Sequence, residues 1–153
     1  MDSCDKRDVM ERYCKEIGDL NRYADLSGVK MVWFAGTEGM GELAIDPKVL
    51  NINGDVHGGA LFTLADTVAN ATAYVWGKQN LGEDIGCTTV SSAFNFLRPA
   101  RGKEKLVCKA ALRKIGNTIV VVESSVQDEA GKEVCFGTFT VYYIDNSRYH
   151  KNK

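Results

Sequence analysis

Apolar positions recur at three- and four-residue spacing over residues 5 to about 25, where Val9, Met10, Tyr13, Cys14, Ile17 and Leu20 are separated by charges. That period predicts an amphipathic helix, ended by Gly28. Residues 30–36 predict a strand and residues 39–45 its return, after a turn containing Gly36 and Gly39. Pro47 ends the run, and a loop from Lys48 to Asp55 leads to His57-Gly58-Gly59. From Gly58 to Gly77 the chain reads GGALFTLADTVANATAYVWG, in which Asp66 is the single charge. Its length and alanines predict helix, and its shortage of charge predicts that most of it is buried. The rest is rich in Val, Thr, Phe, Tyr and Ile and predicts strands over 87–97, 105–113, 118–127 and 133–144. Between them lie Pro99 with Gly102, Gly116-Asn117, and Asp128 through Gly131. The last two connections are short enough for hairpins, so the pairing there should be antiparallel. Simple alternation puts Val90, Ser92, Phe94 and Phe96 on one face of the first of these strands and Thr89, Ala93, Asn95 and Leu97 on the other.

This order predicts an α+β architecture, an antiparallel sheet of five or six strands wrapped around one long helix. The helix covers one face of the sheet, so the other face or an edge needs a partner. With 153 residues there is room for a single domain. Its parts would be a helical lead-in over 1–29, the main body over 30–144 and a polar, frayed tail over 145–153.

Composition narrows the function classes. Apolar residues are 44% and charged residues 25%, enough for a core that needs neither disulfide nor metal. Nineteen basic against 20 acidic residues argue against a nucleic-acid binder and a polybasic membrane-surface protein. No apolar stretch reaches the ~18 residues of a membrane span. The start, Met-Asp-Ser-Cys-Asp-Lys-Arg-Asp, has no apolar core of a secretory signal, so a cytoplasmic location is expected. The five cysteines are odd in number and include no C-x-x-C pair. That argues against a disulfide framework or a zinc site and for a reducing compartment with cysteines packed as small apolar residues, a single reactive thiol staying open.

The candidate chemistry lies at the start of the long helix. The first N–H groups of a helix lack internal partners and carry the positive end of its dipole, so they can hold an oxyanion. Glycine lets a carbonyl approach them closely, as an acyl-transfer site requires. His57-Gly58-Gly59 read alone is also what any glycine-rich helix entry looks like. Asp66 adds the second element. A carboxylate in an apolar helix is costly without a purpose, and it forms a polar stripe with Thr63, Thr67, Asn70 and Tyr74. Burial there should raise its pKa and make it a better base. Asp66 follows Gly58 by eight residues, about 12 Å along the helix axis. One reacting atom cannot touch both groups of one chain, so two subunits with antiparallel helices must share each site.

N-x-x-G-x-x-H-G-G from Asn51, followed by Leu64-Ala65-Asp66, resembles the hotdog-fold acyl-CoA thioesterases of the phenylacetate-degradation type. Thr88-Thr89-Val90, Phe96-Leu97-Arg98-Pro99-Ala100, Arg113-Lys114-Ile115-Gly116 and Asp128 through Gly131 follow in the family's order, so the resemblance covers roughly residues 30 to 144. It implies a hotdog fold, a dimer or dimer of dimers, a coenzyme A thioester as substrate, and neither metal nor other cofactor. It implies Asp66 as general base or nucleophile, the Gly58 N–H as the group polarising the carbonyl, and His57 as the motif histidine beside it. Asn51 would position the water or carboxylate, and Thr89 would supply a hydroxyl. Gly59, Arg98, Arg113, Lys114 and Gly116 are the candidates for holding substrate and coenzyme A, although the three cations read equally well as ordinary surface charges. Leu61, Phe62 and Phe94 are candidates for the acyl pocket, and His150 has no expected role. The competing readings are a non-catalytic acyl-CoA-binding protein of the same fold and a hotdog dehydratase.

Overall fold

The computed structural model describes residues 3–102 and 104–147, with the side chains of 3–9 and Leu20 left aside. His150 and the tail beyond residue 147 lie outside that range. The helical lead-in is two helices, α1 (Ser3–Leu20) and α2 (Arg22–Ser27), where the periodicity predicted one. Asn21 divides them: its side chain accepts from the Ala24 N–H at 2.9 Å and caps α2. A short polar side chain that satisfies the backbone this way competes with helix continuation. Gly28 closes α2 at φ 81°, a conformation that glycine adopts without strain.

Six strands follow around one long helix: β1 (Val29–Ala35), β2 (Glu38–Ala44), α3 (Gly58–Asn80), β3 (Ile85–Phe96), β4 (Lys105–Ile115), β5 (Ile119–Gln127) and β6 (Glu133–Asp145). They form one antiparallel sheet in the order β1-β2-β4-β5-β6-β3. This is the hotdog fold. The core lies between α3 and the sheet, where Leu64, Val68 and Ala69 meet Leu106, Val120, Val122, Phe139 and Val141. α1 adds a smaller cluster, with Tyr13 and Ile17 packed on Phe34, Ala71 and Val75.

Two local features depart from the simple strand pattern. Gly39, read as part of a turn, stands inside β2, and a Cβ there would lie 2.2 Å from the Thr72 hydroxyl. Gly39 and Gly41 are bare so that α3 can lie close on the sheet. In β3 the register against β6 shifts between Thr89 and Ser91, so Val90 is a bulge and stands 56% exposed. The extra residue reverses the alternation. Thr89, paired with Val141, thereby shares the helix-facing side with Phe94 and Phe96 instead of opposing them. Among the described residues, no strand pairs with the outer edge of β3.

Candidate active site

The loop before α3 is tightly tied. The Asn51 side-chain Oδ1 accepts from the backbone N–H groups of Asn53 at 2.8 Å and Asp55 at 3.1 Å, and the Asn51 N–H donates to the Asp55 carbonyl at 2.8 Å. Asp55 is buried and accepts from Arg101 Nε at 2.5 Å. Asn51 therefore spends its side-chain oxygen on the loop and is absent from the lining of the Asp66 cleft. Within one chain it shapes the approach to His57 rather than touching the carboxylate.

His57 is the N-cap of α3. Its Nδ1 accepts from the Gly59 N–H at 2.9 Å, so that nitrogen is unprotonated and Nε2 carries the hydrogen. The N–H groups of Ala60 and Leu61 turn back to the His57 carbonyl. Gly59 is thus spoken for, while the Gly58 N–H donates to no described residue and remains available at the positive end of the helix. A Cβ on Gly58 would sit 3.3 Å from the exposed Phe96 ring.

Asp66 is half-buried, not enclosed as its apolar surroundings in sequence suggested. It lines an open cleft of about 760 Å³ between α3, β3 and the N-terminal helices. The Thr89 hydroxyl donates to Asp66 Oδ1 at 2.7 Å. Asn70 Nδ2 donates in turn to Thr89 Oγ1 at 3.4 Å, and Cys87 Sγ–H donates to Asn70 Oδ1 at 3.4 Å. One carboxylate oxygen is therefore held, and Oδ2 is the one left for chemistry. Burial, with the Asp66 charge second, pushes the Cys87 thiol up to about 12, so it stays protonated and serves as a donor. Tyr74 closes the far end of the stripe by donating to Glu16 Oε1 at 2.8 Å, and burial followed by that bond raises its pKa.

The chain thus brings Asp66 and Thr89 together, and leaves His57 and Gly58 two turns away on an unbroken helix, about 12 Å along its axis. It does not gather the candidate coenzyme A cations. Arg98 follows β3 beside the start of α3, whereas Arg113 and Lys114 are exposed at the opposite end of the sheet. Arg113 pairs with Glu123 at 2.5 Å, and Gly116 makes the β4–β5 hairpin, its N–H donating to the Ile119 carbonyl at 3.0 Å. Of the acyl-pocket candidates, Leu61 is buried in the core and does not line the cleft. Phe62 lines the cleft, and Phe94 packs edge-on to it at 5.2 Å.

Sequence reasoning missed Cys87 and the part played by α2, whose Asn21, Arg22 and Tyr23 line the same cleft. Cys87 lies two residues before Thr89 on one strand, and that spacing alone puts the two on one face. Nothing in the α2 sequence indicates that it packs here. Cys108 and Cys135 are core residues as expected, whereas Cys14 and Cys87 are half-buried; all four are free thiols. Among the described residues, no three His, Cys, Asp or Glu side chains are grouped to hold a metal ion, and no helix is long and apolar enough to cross a membrane.

Comparison with known proteins agrees with this fold. A thioesterase of Haemophilus influenzae superposes with a TM-score of 0.81 at 21% identity, over 92% of this chain and 94% of that one. The E. coli PaaI protein, from the phenylacetic acid degradation operon, gives 0.79 at 18% identity over 91% and 95%. A protein of Archaeoglobus fulgidus, provisionally named an esterase, is 27% identical over 104 residues, 68% of this chain. The match spans 63% of that relative's length. The sequence model of the thioesterase superfamily matches residues 53–135, which contain His57, Gly58, Asp66 and Thr89, and the chain belongs to that superfamily.

Proposed function

We propose that the protein is an acyl-CoA thioesterase of the phenylacetate-degradation type, working as a homodimer with shared active sites. The observation that carries this reading is the layout of α3. An unspent N–H stands at its first residue, and eight residues on stands a carboxylate with one oxygen held by Thr89 and one free. Gly58 of one subunit polarises the thioester carbonyl, and Asp66 of the other faces it. Asp66 Oδ2 takes a proton from water as the water oxygen attacks the carbonyl carbon; the C–S bond then breaks and the sulfur takes that proton. Alternatively the carboxylate attacks directly, the C–S bond breaks to give a mixed anhydride and coenzyme A thiolate, and water opens the anhydride, one of its protons going to the thiolate. Either route releases free acid and coenzyme A. No metal or further cofactor enters this sequence of steps. The uncovered edge of β3 is the natural seam for the dimer, since an unpaired strand edge seeks a partner. A non-catalytic acyl-CoA binder would have no use for a free carboxylate oxygen aimed into the cleft.

The test is a turnover screen over short, medium, long and aromatic acyl-CoAs, titrating released thiol. Release from at least one class is expected. Binding of acyl-CoAs without release from any of them would assign the protein to the binding reading instead.

A further inference from the structure

Beside the start of α3 lies a second cleft, about 630 Å³, on the α2 side of the helix. Its floor is Val29, Leu43 and Val49, all buried, and its rim includes Leu26, Ala60 and Phe62. His57 and Gly59 also line it, so it opens directly at the residues flanking the free Gly58 N–H. The Asp66 cleft, by contrast, is lined by Asp66, Thr67, Asn70, Thr88 and Thr89 and is the more polar of the two. Tyr23, Phe62 and Thr63 line both, and the Tyr23 and Thr63 hydroxyls are hydrogen-bonded at 3.2 Å. Together they form a partition.

We propose that this second cleft is the acyl-binding subsite, that it takes an unsubstituted hydrocarbon chain, and that Leu26 and Tyr23 set the chain length it accepts. The inference rests on the thioesterase reading and names its substrate class. A carbonyl oxygen bound at Gly58 places its carbon within a few ångströms of that N–H, and the acyl chain is the next atom out. Besides the exposed Phe96 ring, the apolar surface that opens beside that point, at His57 and Gly59, is this cleft. Lys48 is the one fully charged side chain in its lining, and a chain bearing its own charge would leave most of the floor unmatched. In the shared-site dimer the cleft then belongs to the same site as Gly58, while the Asp66 cleft of the same chain serves the other site. The Tyr23–Thr63 partition keeps the two apart.

The experiment measures binding of non-hydrolysable thioether acyl-CoA analogues of graded chain length, in parallel with turnover of the matching thioesters. Wild-type protein, Leu26→Trp and Tyr23→Ala are compared. Both side chains are largely exposed, so neither variant threatens the fold. For the wild type, each added methylene is expected to tighten analogue binding by about two- to fourfold until the cleft is full. Leu26→Trp should lower binding of long chains by about tenfold or more and leave short ones unchanged. Tyr23→Ala should move the plateau to longer chains by removing the partition. Flat length dependence in the wild type, or the wild-type length profile in both variants, overturns the proposal. Length-dependent binding without turnover of any thioester would overturn the thioesterase reading and leave the subsite standing.

Discussion

At the scale of single residues, the proposed site sets a carboxylate with one oxygen fixed and one free against the partner subunit's helix N-terminus with one N–H free. Asp66→Asn keeps an oxygen for the Thr89 hydroxyl but cannot take a proton, so kcat should fall by about 100-fold or more while the unfolding midpoint is unchanged. Near-normal kcat in this variant would remove Asp66 from the chemistry. The Gly58 N–H can be deleted almost in isolation. Gly58 is the first residue of α3, where proline fits, and His57 before it already holds φ −61° and ψ 137°, the extended conformation that a following proline favours. Gly58→Pro should fold and lose most turnover. Gly58→Ala meets the same Phe96 ring but keeps the N–H, and should retain most activity. Equal kcat in the two variants would show that this N–H stabilises no oxyanion. Much of this was legible in sequence, because a single charge in a twenty-residue apolar segment is conspicuous. The resemblance named the Gly58 N–H; what was not legible is the physical reason, that His57 Nδ1 consumes the one on Gly59.

At the scale of elements, length and alanine content placed α3, and β-rich composition between turn signals placed the six strands, to within a few residues. Three details were hidden for physical reasons. Asn21 divides the N-terminal helix through a side-chain cap that apolar spacing does not register. The Val90 bulge inverts half of β3 and carries Thr89 to Asp66, and no residue in the strand marks it. Gly39 reads as a turn glycine until α3 is seen lying across it. Gly39→Ala tests that closeness. Its Cβ would be forced against Thr72, whose hydroxyl is buried and bonded to the Val68 carbonyl at 2.7 Å. The variant should lose about 1–3 kcal/mol in denaturant unfolding. An unchanged midpoint would mean that helix and sheet are not packed this closely.

At the scale of the whole molecule, the chain leaves its chemistry unfinished. Gly58 and Asp66 are fixed on one rigid helix about 12 Å apart, and no rearrangement of a loop can close that gap. The outer edge of β3 pairs with no strand among the described residues, and Phe96 and Leu97 near its end are exposed together with Val90. The outer face of the sheet also exposes Ile119 and Tyr142, which pair across β5 and β6. If Gly58 and Asp66 act on one substrate, the sequence spacing calls for two subunits per site, whereas the surfaces that could join them depend on tertiary exposure and were not readable from it. The central claim is therefore that each active site is built from two chains. Gly58→Pro and Asp66→Asn, each inactive alone, should be unfolded and refolded together so that subunits mix. Random pairing makes half the dimers mixed, and each mixed dimer has one site with an intact Gly58 from one chain and an intact Asp66 from the other. About a quarter of wild-type activity should return. If the mixture stays as inactive as its parents while the subunits are shown to have exchanged, the site lies within one chain and the account is contradicted.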